Sequence, residues 1–152
     1  MVLGFWGDAG FALATGVVAA AAWSALLLAG QWLRMRRALD AFVGSYEVRR
    51  KLSRGEPLGT VTIRREGRTL SVALDDPDGG PAEAVVRLSE RFPKSGRGTY
   101  EQRLKAGGRV WGTWDLDLDA ERAAILVTTR YSHPARETEI VQGYEWRRGG
   151  PG

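Results

Sequence analysis

Two hydrophobic periods divide the chain. Residues 9–33, AGFALATGVVAAAAWSALLLAGQWL, are 25 consecutive positions without a formal charge. From residue 44 onward, apolar and polar positions alternate in short runs broken by Gly, Pro and Asp. The first pattern predicts a transmembrane helix. At 1.5 Å rise per residue, about 20 apolar residues cross the hydrocarbon core of a bilayer. A buried helix in so small a domain is rarely apolar on every side. The second pattern predicts strands with one face turned inward.

The apolar run has the flanks of a retained anchor. A cleaved signal peptide opens with basic residues and a shorter apolar core, whereas this chain opens MVLGFWGD and places its positive charge after the run. Trp6 near one end and Trp32 near the other suit the two membrane interfaces. Arg34, Arg36 and Arg37 follow at once, where they would face anionic lipid head groups. Lys and Arg accumulate on the cytoplasmic side, so the expectation is a single pass with the N-terminus out and the C-terminal domain in the cytoplasm. Ala12, Gly16, Ala20 and Ser24 recur every fourth residue and form one small-residue stripe, suited to close approach of a second helix. Beyond the bilayer, Met35, Leu39 and Phe42 line one side of an amphipathic helical stalk that ends near Gly44, an apolar edge turned towards the domain. The expected organisation is an anchor over 1–33, a stalk over 34–43, a β domain over 44–148 and a tail over 149–152.

Eight segments of the β domain alternate: GSYEVRR, GTVTIRR, RTLSVALD, AEAVVRL, TYEQRL, RVWGTWDLDLD, AAILVTTRY and TEIVQGYEWRR. Turn signals such as DPDGGP and AGG separate them, and SERFPKSGRG reads as a basic loop. The fold class is therefore mainly β: an antiparallel meander of eight strands, closing into a small barrel. A two-sheet β-sandwich of the same strands is the alternative. Tyr46, Tyr100, Trp114, Tyr144 and Trp146 fall at inward positions and are candidates to fill the interior, with Gly112 and Gly143 as places where space could open.

FVGSYEV at the first strand and GYEWRR at the last resemble the opening and the late arginine of the lipocalin-like, or calycin, barrels. The resemblance covers about ten residues, with Tyr46 where that group usually has tryptophan. It implies a barrel closed at one end by packing of Tyr46 against Arg147.

Composition removes several kinds of chemistry. There is no cysteine, hence no disulfide, thiolate metal site or cysteine nucleophile. His133 in YSHP is the only histidine, too few for a histidine-built zinc site, and reads as a surface loop residue. Asp115, Asp117 and Asp119 in DLDLD are read as the water-facing side of a strand opposite strand arginines rather than as a cation loop. No nucleophile elbow, P-loop or zinc-protease motif is present. Accordingly no catalytic residue, metal or cofactor is expected. A net charge of +4 is too mild to mark a nucleic-acid binder. The 19 arginines against three lysines suggest a GC-rich bacterial source.

These readings predict a non-catalytic, membrane-anchored accessory or scaffold subunit of a larger complex in the bacterial inner membrane, energy-transducing, respiratory or photosynthetic. Its expected partners are other membrane-protein subunits and anionic lipid head groups, not nucleic acid. The alternative is an anchored lipocalin-like module that binds an apolar small molecule or lipid.

Overall fold

The computed structural model describes residues 5–51, 55–132 and 138–149, with helix side chains described from residue 17 onward. Two compact units divide the chain, Met1–Arg36 and Arg37–Gly152. A single helix, α1, covers Phe5–Phe42. Its segment Val17–Phe42 is long and apolar enough to cross a membrane, and none of its apolar window is buried.

Eight strands follow in order: β1 (Gly44–Arg50), β2 (Gly59–Glu66), β3 (Thr69–Asp75), β4 (Ala82–Leu88), β5 (Ser95–Arg103), β6 (Arg109–Asp119), β7 (Ala124–Ser132) and β8 (Glu139–Arg148). Each pairs antiparallel with the next, and β8 returns to β1, so the sheet is a closed barrel and not a sandwich. Closure leaves no strand edge unpaired. The inward side of the wall follows the predicted alternation: Val61 and Ile63, Leu70 and Val72, Val86 and Leu88, Trp114 and Leu116 are all buried.

β5 begins four residues earlier than expected. The sequence from Ser95 to Gly98 belongs to the ladder rather than to a loop, pairing with β6 from Ser95 and with β4 from Gly96. The inward positions there are Gly96 and Gly98, which give no hydrophobic signal. A Cβ on Gly96 would lie 2.9 Å from Leu88 Cδ2 and 2.9 Å from Val86 Cγ1. The side chains of β4 occupy the space that β5 leaves. On the outside, Arg97 lies opposite Asp115 and pairs with it, while the Ser95 hydroxyl donates to Asp117. Thus Asp115 and Asp117 face cross-strand partners, and Asp119 pairs with Arg122 of its own turn at 3.6 Å.

The barrel end where the chain enters is closed. Leu39, Phe42 and Tyr46 are buried there. The Tyr46 hydroxyl donates to the Phe42 carbonyl at 2.8 Å. Helical carbonyls near a C-terminus lack backbone partners; the Arg148 guanidinium donates to that of Ala41 at 3.1 Å and to the Val43 carbonyl just beyond the helix at 3.4 Å. Gly44 then turns the chain into β1 with φ of +151°, a value that a residue with a Cβ rarely takes. Arg148 also sits over the Tyr46 ring, 5.8 Å from its centroid. This corrects the pairing implied by the calycin resemblance. The partner of Tyr46 is Arg148, its cross-strand neighbour, whereas Arg147 points outward and pairs with Glu145 at 2.9 Å. Adjacent strand residues face opposite sides, so a shift of one residue exchanges inside for outside.

Candidate functional site

The opposite end of the barrel holds a cavity of about 560 Å³. Its lining comes from the strand ends remote from α1, namely the late residues of β1, β3 and β5 and the early residues of β6 and β8. The floor is aromatic. Tyr100 and Trp114 stack with centroids 4.7 Å apart at 18°, and Trp146 meets Trp114 edge-on at 5.3 Å. Val48, Leu58, Leu74, Leu104 and Val110 add aliphatic wall. Polar groups gather higher up: Arg50, Asp76, Asp78, Gln102, Gln142 and Tyr144, with Thr129 and Tyr131 on β7.

Local structure fixes part of this rim. The Asp76 carboxylate accepts the backbone N–H groups of Asp78 and Gly79, each at 2.9 Å, which folds the β3–β4 turn on itself. The Gln102 side-chain amide donates to the Gly80 carbonyl at 3.2 Å and ties that turn to β5. The Tyr144 hydroxyl donates to the Gln142 side-chain oxygen. Burial pushes the Tyr100 phenol well above the usual tyrosine range, and the phenols of Tyr131 and Tyr144 push the same way. Tyr144 is raised as well, by burial first and then by Tyr131 and Asp76, with Arg50 opposing. Both phenols therefore stay neutral at physiological pH. They can give or take hydrogen bonds but are poor bases. An apolar floor under a polar rim is the layout of a small-molecule site, in which shape and burial hold the ligand and a few polar groups orient it.

The residues expected in the interior are placed as follows. Tyr46, Tyr100, Trp114 and Trp146 are buried and Tyr144 is half-buried. Tyr46 lies at the closed end, the other four along the cavity. Gly112 opens no space, because the Tyr100 ring occupies it: a Cβ there would come within 2.6 Å of Tyr100 Cε1. Gly143 is exposed beside the Lys51 side chain. The rim residues Arg50, Gln102 and Gln142 were not singled out from the sequence. Their signal was present, since each lies two residues from an inward aromatic or aliphatic position on its strand.

On α1, Ala20 and Ser24 are exposed, and the Ser24 hydroxyl donates to the Ala20 carbonyl at 2.9 Å. Trp32 is exposed, with the Arg36 guanidinium 5.3 Å from its ring centroid, and Arg34 and Arg37 are exposed too. The side chains of Trp6, Ala12 and Gly16 lie outside the described residues, as does His133. Among the described residues, no group of three or more His, Asp or Glu is placed to hold a metal ion.

No family model, curated protein or solved structure matches the chain.

Proposed function

We propose that the chain is a membrane-anchored accessory subunit of a larger bacterial membrane complex, energy-transducing, respiratory or photosynthetic, and that it is not an enzyme. The supporting observation is the apolar surface of α1, whose membrane-length window is covered by nothing among the described residues. Leu26, Leu27 and Leu28 can face lipid, while Ala20 and Ser24 on the small stripe would admit a neighbouring helix. The barrel, closed at the end where the chain enters, then braces partners at the membrane surface. On this reading Arg34, Arg36 and Arg37 keep the barrel on the cytoplasmic side.

Two measurements test it. Solubilised in mild detergent at native expression level, the protein is expected to migrate on native gels within a larger assembly. Migration as a lone 16.7 kDa chain counts against it. For topology, Ala106→Cys is a suitable reporter because Ala106 is exposed in the β5–β6 loop. A membrane-impermeant thiol reagent applied to intact cells is expected to leave it unlabelled.

The cavity favours a second reading, an anchored module that carries a small amphiphile on the Tyr100–Trp114–Trp146 floor. Native mass spectrometry of the full chain from its own membrane distinguishes the two. A retained organic ligand favours the carrier, and a bare mass across gentle and harsh release conditions removes it.

A further inference from the structure

We propose that the β4–β5 loop is a second membrane contact, in which Phe92 seats in the interfacial layer of an anionic leaflet between Arg91 and Lys94. It rests on the reading of α1 as a bilayer anchor.

Phe92 is 60% exposed; Trp111, Val141 and Val85 are comparably exposed but lie on strand walls, whereas Phe92 stands in a loop. Its loop is not slack. The Ser89 hydroxyl accepts the Phe92 N–H at 3.1 Å, and the Phe92 carbonyl accepts the Ser95 N–H at 2.8 Å. The Lys94 carbonyl takes the Leu118 N–H of β6 at 2.8 Å. The ring is thus presented to the outside by an ordered turn, at little further cost in conformational entropy on docking. The Arg91 guanidinium lies 5.4 Å from the ring centroid. An aromatic ring with a cation beside it matches the interfacial layer, where rings lie at head-group depth and cations meet lipid phosphate. Trp32 and Arg36 repeat the same pairing on α1.

Placement agrees with this chemistry. The loop joins the end of β4 to the start of β5, the barrel end at which the chain enters and Leu39, Phe42 and Arg148 are found. Only six residue steps of chain lead from Leu33, the last of the charge-free run, to buried Leu39. Even fully extended, six residues reach about 20 Å. A tether of that length lets this end of the barrel reach the head groups. Glu66 at the end of β2, with Glu90 and Glu121 in turns at the same end, offsets Arg68 and Arg122 there, so the attraction comes from Arg91, Lys94 and the arginines at 34, 36 and 37, not from the end as a whole.

The absence of cysteine allows a clean test with single nitroxide labels in the full chain. Phe92→Cys is the probe, with Ala22→Cys on α1 and Ala106→Cys at the far end of the barrel as references. Collision rates with oxygen and with a water-soluble nickel complex are read in nanodiscs containing phosphatidylglycerol. Position 22 is expected to be lipid-like and position 106 water-like, with position 92 favouring oxygen over nickel several-fold relative to 106. Replacing phosphatidylglycerol by phosphatidylcholine, or adding Arg91→Gln with Lys94→Gln, is expected to shift position 92 towards water. A water-like 92 beside a lipid-like 22 overturns the proposal and leaves the anchor standing, whereas a water-like 22 overturns both. Insertion indifferent to lipid charge and to the double variant removes the anionic leaflet as the partner. Protection of 92 in native membranes alone assigns the loop to a protein neighbour and overturns the lipid contact.

Discussion

The Tyr100 phenol is held neutral by where it sits: burial against Trp114 and beneath Tyr131 and Tyr144 makes its ionised form costly in the folded barrel. Its folded pKa lies above the unfolded value of about 10, so the folded state keeps a proton that the unfolded chain releases first. That contribution to stability is complete below pH about 10 and is lost as pH rises from there towards the folded value. The Tm of the protein is therefore expected to fall steeply above pH about 10. Tyr100→Phe cannot ionise and should flatten that fall while leaving the neutral-pH Tm nearly unchanged. Identical alkaline slopes in the two proteins would remove Tyr100 from the account. At this scale the aromatics and the cationic partner of Tyr46 differ in how the sequence signals them. Inward Tyr and Trp announce themselves by alternation, but Arg147 and Arg148 are adjacent and chemically identical. Only the β1–β8 register, Tyr46 opposite Arg148, shows which one faces in.

β5 shows how an element can hide in plain alternation. Its start reads Ser-Gly-Arg-Gly, polar and turn-like, yet Gly96 and Gly98 are the inward residues and Arg97 the outward one. Packing explains the inversion: Val86 and Leu88 of β4 project into the volume that larger side chains on β5 would need. Gly96→Ala is accordingly expected to cost about 1–3 kcal/mol, the range for an extra carbon in a filled core. For a domain of this size each kcal/mol corresponds to about 4–8 °C in Tm. The nearest obstacles at position 96 are side-chain ends, so Val86→Ala should relieve part of the clash. In a double-mutant cycle by chemical denaturation the two changes are expected to couple by about 0.5 kcal/mol or more in the compensating direction. Simple additivity would mean that the glycine is required for some reason other than Val86. β1, β4 and β6 carried no such disguise, and their alternation marked their limits at the residues where the ladders begin and end.

For the whole molecule, alternation could not separate a barrel from a sandwich, because both present one inward face to the same eight strands. The decision lies in the pairing of β1 with β8, joined by residues about 100 positions apart, and no local pattern encodes it. Nor did alternation fix where the barrel domain starts. Residues 34–43 read as a stalk with Leu39 and Phe42 on an apolar edge towards the domain; both are buried, Asp40 pairs with Arg65 of β2 at 2.9 Å, and Arg148 closes the helix end. If residues 37–42 are part of the core, two truncations must behave differently. A chain starting at Arg37 keeps Leu39, Phe42 and the carbonyls bound by Arg148 and Tyr46, and is expected to be soluble with one cooperative thermal transition. A chain starting at Gly44 loses two buried side chains, each worth about 2–5 kcal/mol by the cost of emptying a core site. It also leaves Tyr46 and Arg148 without their acceptors. Against a typical total stability of about 5–15 kcal/mol, that loss should leave the shorter chain largely unfolded or strongly lowered in Tm. The readout is circular dichroism with thermal melting on both chains under one buffer. Equal melting temperatures would return residues 37–42 to the role of a passive stalk, and the barrel would then be closed at that end by its own strands alone.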